Sequence, residues 1–263
     1  MTLCLRRVAL PVLQTLALAV LVSACSTRFD APSSLSSSEQ LIAGERRLLA
    51  VEEYADGPAL AAMGRLYLPP VTLATGADLD PDITPARLND VRRQLSRDLC
   101  QRLARAGFDV RPAIDPAETE TRLDGEVRAA INGIRRNNVA TTGLSRLIGV
   151  AVPGPLNPRV PLGIGALGVE AEILDRSGQQ VAAIRWASQN HLASGGGVTT
   201  ILDGTDAFSD LADVMDLSSV FADALGDLVE EARDDQGAVE ADTPRGTCDA
   251  YRDLIDGETP GGT

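Results

Sequence analysis

Apolar and polar positions alternate strictly in two parts of the chain and recur every three to four residues in two others, and most of the predicted fold follows from these four stretches. From Arg122 to Ile131, Leu123, Gly125, Val127, Ala129 and Ile131 share one face while Asp124, Glu126 and Arg128 share the other. That period of two predicts a strand with one dry and one wet face. The same alternation sets Leu167, Val169, Ala171 and Ile173 against Gly168, Glu170 and Glu172, and Asp175-Arg176-Ser177-Gly178 turns the chain into a partner strand over Val181–Ser188. Together they predict a hairpin. Leu88, Val91, Leu95, Leu99, Leu103 and Ala106 repeat at helical spacing after Thr84-Pro85, a capping hydroxyl followed by proline at the first helical position, and Gly107 supplies the stop. A second helix is predicted from about Thr205 to Arg233, with Phe208, Leu211, Val214, Met215, Leu217, Phe221, Leu225 and Leu228 as its apolar positions.

Shorter signals complete the order. Arg65 to Leu73 reads as a strand broken by Pro69 and Pro70, which places it at a sheet edge or kinks it. Phe108 to Val110 starts another strand, and Asp115-Pro116 opens a loop. The expectation is one α+β domain over residues 55–236, a largely antiparallel sheet with two main helices packed on one face. Residues 237–263, acidic and rich in Gly and Pro, are expected to form a poorly ordered tail, pinned by Cys248 if at all.

The N-terminus carries a different pattern. Arg6 and Arg7 precede an apolar stretch from Val8 to Val22, and Leu21-Val-Ser-Ala-Cys25 ends it with small residues before a cysteine. Pro11, Gln14 and Thr15 interrupt the stretch, which falls short of the roughly 20 apolar residues of a spanning helix. Residues 1–24 therefore read as a lipoprotein signal peptide, with Cys25 as the lipidated first residue of the mature chain. Two or three acyl chains there would hold a protein on a bilayer, each buried methylene contributing about 0.8 kcal/mol. The remainder of a twin-arginine signal is missing, so the general secretory route is expected. Ser26 stands where Asp retains a lipoprotein in the inner membrane of enteric bacteria, which points to the outer membrane, periplasmic side. Serines at 33, 34 and 36 to 38 make residues 25–54 a predicted flexible tether.

Charge and cysteine usage agree with that address. Removing residues 1–24 takes away two Arg and no carboxylate, so the formal net charge of −13 becomes −15. An acidic surface disfavours nucleic acid as a partner. Cys4 leaves with the signal and Cys25 takes lipid, so Cys100 and Cys248 remain. In an oxidising compartment they are expected to form a disulfide, the alternative being two free thiols.

Candidate chemistry is sparse. His191 is the single histidine, which excludes a multi-histidine metal site. A hydrolase would have to use it with Ser188 or Ser194, but no nucleophile elbow is present, and the nearby glycine run lacks the Lys-Ser/Thr ending of a phosphate loop. Asp78, Asp80 and Asp82 alternate as in a calcium loop, yet Ile83 and Asn89 occupy positions where such a loop needs Gly and Glu, so no metal is expected. The stretch Val139–Gly168 has only Arg146 and Arg159 as charges and is broken by prolines. Either it packs over the sheet or, through Leu144, Leu147, Ile148, Val152 and Leu156, it forms a partner or membrane surface.

The lipobox, the serine-rich segment, Pro69-Pro70-Val71, the Ile83-Thr84-Pro85 helix start, the strand Leu123–Ile131 and the Gly168 to Asp175 hairpin arm resemble the uncharacterised bacterial lipoproteins grouped as domain of unknown function 3313. The resemblance covers roughly residues 55 to 233 and implies an envelope lipoprotein of no established activity, with no catalytic residues and no cofactor to carry over. The expected function is therefore a non-enzymatic accessory or binding domain, tethered to the membrane by its N-terminal lipid and presented to an envelope protein or an apolar ligand. A periplasmic hydrolase built on His191 is the alternative.

Overall fold

A computed structural model describes residues 29, 31–44, 50–112, 123–135, 165–189, 211–234, 236–238, 241–244 and 246–256. In chain order these form β1 (Ile42–Ala43), β2 (Ala50–Ala55), α1 (Gly57–Ala61), β3 (Arg65–Tyr67), β4 (Thr72–Leu79), α2 (Pro85–Arg105), β5 (Asp109–Arg111), β6 (Gly125–Arg135), β7 (Ala166–Asp175), β8 (Gln180–Gln189), α3 (Ala212–Asp234), a 3-10 turn (Thr247–Ala250) and α4 (Tyr251–Asp256). The strands make one eight-stranded sheet in the order β1-β2-β8-β7-β6-β3-β5, with β4 also on β6. Four of its pairings are antiparallel; β3 with β5, β3 with β6 and β4 with β6 are parallel. The α+β class and the largely antiparallel sheet with helices against it are as the periodicity predicts.

The predicted caps are in place. Thr84 Oγ1 accepts from Arg87 N at 3.3 Å, Pro85 opens α2, and Gly107 ends it at φ +84°. Gly178, at φ +81°, closes the β7–β8 turn, where Asp175 Oδ1 accepts from Ser177 N and Gln179 N. The broken strand becomes two. β3 and β4 line the same edge of β6 with a slip of one residue, because Pro69 and Pro70 have no N–H to pair between them. The peptide groups around this kink bond elsewhere: Val71 N donates to Ser96 Oγ at 2.9 Å, and Arg92 Nε donates to Val71 O at 2.8 Å. β3 is thus an inner strand of the sheet.

One face of the sheet carries the core. Val127, Ile131, Val169, Ile173, Ile184 and Trp186 meet Leu95, Leu99 and Leu103 of α2 and Phe221 and Leu225 of α3, all buried in a single cluster. Trp186 meets Phe221 edge to face at 5.7 Å. The two helices are also joined by Arg102, whose guanidinium lies 2.7 Å from Asp227 and 2.6 Å from Glu230. Gly226 leaves room for it, since a Cβ there would overlap the Arg102 side chain. Arg233, at the end of α3, donates to Ala106 O at the end of α2 and lies 3.8 Å from the centre of the Phe108 ring.

At both ends the described residues pack more extensively than composition suggests, and the tail is pinned at Cys248 as expected. Among the residues after 236, the described segment 246–256 is docked: Cys100 and Cys248 form a disulfide, Tyr251 is buried with its hydroxyl donating to Leu68 O at 2.7 Å, and Ile255 is buried too. Before them, Thr243 Oγ1 accepts from Val110 N and donates to Phe108 O. Polar composition misleads there because a few spaced apolar residues and a covalent tie suffice to dock a short segment. One correction concerns the N-terminal side. The sheet begins at Ile42 rather than near residue 55, and Ser33, Ser34, Ser36 and Ser37 before it bond to β7 and β8.

Candidate functional site: the strapped face of the sheet

On the side of the sheet away from the helices, β6, β7 and β8 present the residues expected to face water. Register sets Glu172 opposite Arg128 on one side and Ala183 on the other, and Glu170 opposite Arg185. Glu170 and Glu172 are nevertheless only 2% exposed. The serine-rich segment covers them. We call Phe29 together with residues 31–37 the strap.

Each contact of the strap follows from simple donor chemistry. A carboxylate offers only acceptors, and a serine supplies a backbone N–H and a hydroxyl that can both donate. Glu170 accepts from Ser34 N at 2.6 Å, Ser34 Oγ at 2.8 Å and Ser33 Oγ at 3.1 Å. Glu172 accepts from Ser36 N at 2.8 Å and Ser36 Oγ at 2.6 Å. Gln180 Nε2 completes this second set, donating to Glu172 at 2.8 Å and to Ser37 O at 3.0 Å. Arg185 ties the set to the neighbouring strand: its Nε is 2.7 Å from Glu170 and its Nη1 is 2.6 Å from Glu52 on β2. Burial pushes the Glu170 carboxyl up, but the donors from Arg185 and Ser34 outweigh it and hold the group below its ordinary value.

The strap begins in a socket. Gly133 on β6 pairs with Gly168 on β7, and the Phe29 ring lies over both, so that a Cβ on either glycine would overlap it. The Arg135 guanidinium stacks 5.3 Å from the ring centre. Between the strap and the Pro69–Pro70 kink is a cleft of about 260 Å³, lined in part by Ser34, Leu35, Arg128 and Glu172. A second cleft, of about 270 Å³, adjoins the disulfide; there Arg97 faces Asp249 at 3.0 Å and Arg93 faces Asp90 at 2.9 Å.

The residues singled out in the sequence are scattered or lie elsewhere. Cys25, Leu144, Leu147, Ile148, Val152, Leu156, His191 and Ser194 lie outside the described residues. Ser188 is buried in β8, paired with Leu167 on the core side. Asp78 sits on β4 facing Arg135 at 3.4 Å, while Asp80 accepts from Asp82 N within the following turn. No group of three or more metal-ligating side chains is brought together among the described residues. None of the described helices is long and apolar enough to cross a membrane. Sequence reasoning missed Phe29, Gly133 and the strap as a whole. The available signal was glycine inside a strand, which marks close approach of another group: Gly168 interrupts a row otherwise made of Glu170 and Glu172.

No family model and no curated protein matches the chain. Among solved structures, it is similar to the PelC dodecamer from Paraburkholderia phytofirmans, with 20% identity and a TM-score of 0.35, over 65% of this chain and 96% of that chain. A single-substitution variant of that PelC gives 20% identity and a TM-score of 0.35, over 65% of this chain and 97% of that one.

Proposed function

We propose that this chain is a non-enzymatic accessory lipoprotein of the cell envelope, acylated at Cys25, held on the periplasmic side of the outer membrane, and presenting its α+β domain to an envelope partner or apolar ligand. The observation that carries this reading is the strap. The buried carboxylates that would be the first candidates for acid or base chemistry, Glu170 and Glu172, are occupied in binding the segment that follows the lipobox. Their work is attachment. The motifs that resemble those of the uncharacterised lipoproteins support the same reading, and so does the oxidised Cys100–Cys248 pair, which suits an oxidising compartment.

Mass spectrometry of the mature N-terminal peptide tests the anchor: an acylated Cys25 is expected, with loss of membrane sedimentation in Cys25→Ala. An unmodified Cys25 would refute the lipoprotein reading. The partner surface is tested by crosslinking in intact cells. Leu147→Glu and Ile148→Glu are expected to remove a specific crosslink from a folded protein; unchanged crosslinks in both would remove that stretch as the contact surface.

A further inference from the structure

Cys25 and Phe29 are separated by four residue steps, and Phe29 is fixed. If the domain hung from a free chain up to Tyr54, about 29 residues would separate lipid from fold, with a root-mean-square reach of about 30 Å and a fully extended reach of about 100 Å. With Phe29 seated in the Gly133–Gly168 socket, the four residue steps back to Cys25 span at most about 14 Å. The serine clamps on Glu170 and Glu172 hold the residues that follow, so slack cannot be drawn from the other side of the socket.

We infer that the end of the sheet around Gly133, Gly168 and Arg135 is apposed to the lipid bilayer that carries the acyl chains, with Phe29 as the fixed end of a short leash. This rests on acylation at Cys25. The socket is at one end of the β7–β8 hairpin and the Asp175–Gly178 turn is at the other, so the turn lies about 23 Å farther along the strand. The domain therefore has a membrane-near pole and a membrane-far pole. Arg135, whose guanidinium lies against the Phe29 ring, suits the near pole, since a long basic side chain places its charge at the headgroup level. The strap is thus an orienting device.

The test uses the acylated full mature chain in vesicles of phosphatidylethanolamine and phosphatidylglycerol carrying a headgroup quencher. A fluorophore is placed either at Pro81→Cys, in the turn beside Ile134, or at Gln179→Cys, in the hairpin turn. Both sites are exposed, and the disulfide leaves no competing thiol. Severalfold stronger quenching of the near label is expected. A flexible insertion between Arg28 and Phe29, which leaves the socket intact, and the Phe29→Ala variant should each bring the near and far signals together. Equal quenching of the two labels in the native chain, or an unchanged ratio after the insertion, overturns the inference. Sedimentation with the vesicles is read first: a native chain that stays in solution overturns the lipoprotein reading along with this one, whereas a bound chain with equal labels overturns only this one.

Discussion

Opening the Cys100–Cys248 bridge is expected to remove several kcal/mol of stability while leaving the native fold in place. The two cysteines are 148 residues apart. For a loop of that length the chain-entropy treatment gives about 5 kcal/mol at 25 °C, the upper end of what disulfides contribute. Native-state contacts decide how much of this is realised. Cys100 lies in the core on α2, and the segment it holds has anchors of its own: the buried Tyr251 with its bond to Leu68 O, the Arg97–Asp249 pair and the buried Ile255. These should keep α4 docked after reduction, so the loss arises mainly in the denatured state and should fall at about 3 to 5 kcal/mol. Urea unfolding of the oxidised protein, the reduced protein and Cys248→Ser, followed by far-UV circular dichroism, measures it. Both altered forms should show a lower midpoint and an equal or slightly larger m-value, because an open denatured chain exposes more surface. A loss below about 1 kcal/mol would refute the entropic argument. A second, earlier transition would show instead that α4 has no independent hold.

Asp98 has its carboxyl raised to about 6, by burial first and then by Asp223, against the Gln94 bond and the nearby Arg97 and Arg105. A raised carboxyl pKa means the native state binds the extra proton, so this group's contribution to stability declines as pH rises from about 4 to 6. Asp98→Asn should therefore stabilise the protein by about 1 to 2 kcal/mol at neutral pH, after allowing for partial solvent screening, and should be neutral near pH 4 in thermal melts. Glu170 has the opposite sign: its lowered carboxyl contributes stability above the unfolded pKa that is lost as pH falls through the folded one, so Glu170→Gln should cost about 2 to 3 kcal/mol at neutral pH and less in acid. Gly133→Ala should expel Phe29 from its socket, costing about 1 to 2 kcal/mol, and should make the strap cleavable by protease in an otherwise folded domain. Uncleaved strap in that variant would count against the socket.

The alternation in β6 and β7, the helical stripe of α2 and the turn at Asp175–Gly178 could be read directly because each is encoded within a few residues. Period, caps and turn chemistry are local properties, and they carried the two main helices, the hairpin and the α+β class. The pairing of Cys100 with Cys248 followed from counting the cysteines left once the lipobox pattern accounts for Cys4 and Cys25. The direction of the short strands did not follow: β3 and β4 are parallel to β6 because α2 and the proline kink bring them there, and no pattern within seven or eight residues records a neighbour's direction.

The serines were read by composition, which correctly excludes a core of their own but says nothing about docking onto another element. Alternation showed that Glu170 and Glu172 share a face, and nothing within β7 records what lies above that face. The strap contacts join residues about 136 positions apart, with Ser34 and Ser36 reaching Glu170 and Glu172. Such contacts depend on the finished sheet setting two carboxylates and two glycines side by side, so they exist only once the strands have paired. That is why the chain's local elements, and the lipobox pattern on which the proposed anchor rests, can be written down from residue order, while the seat of Phe29 comes from the assembled sheet alone.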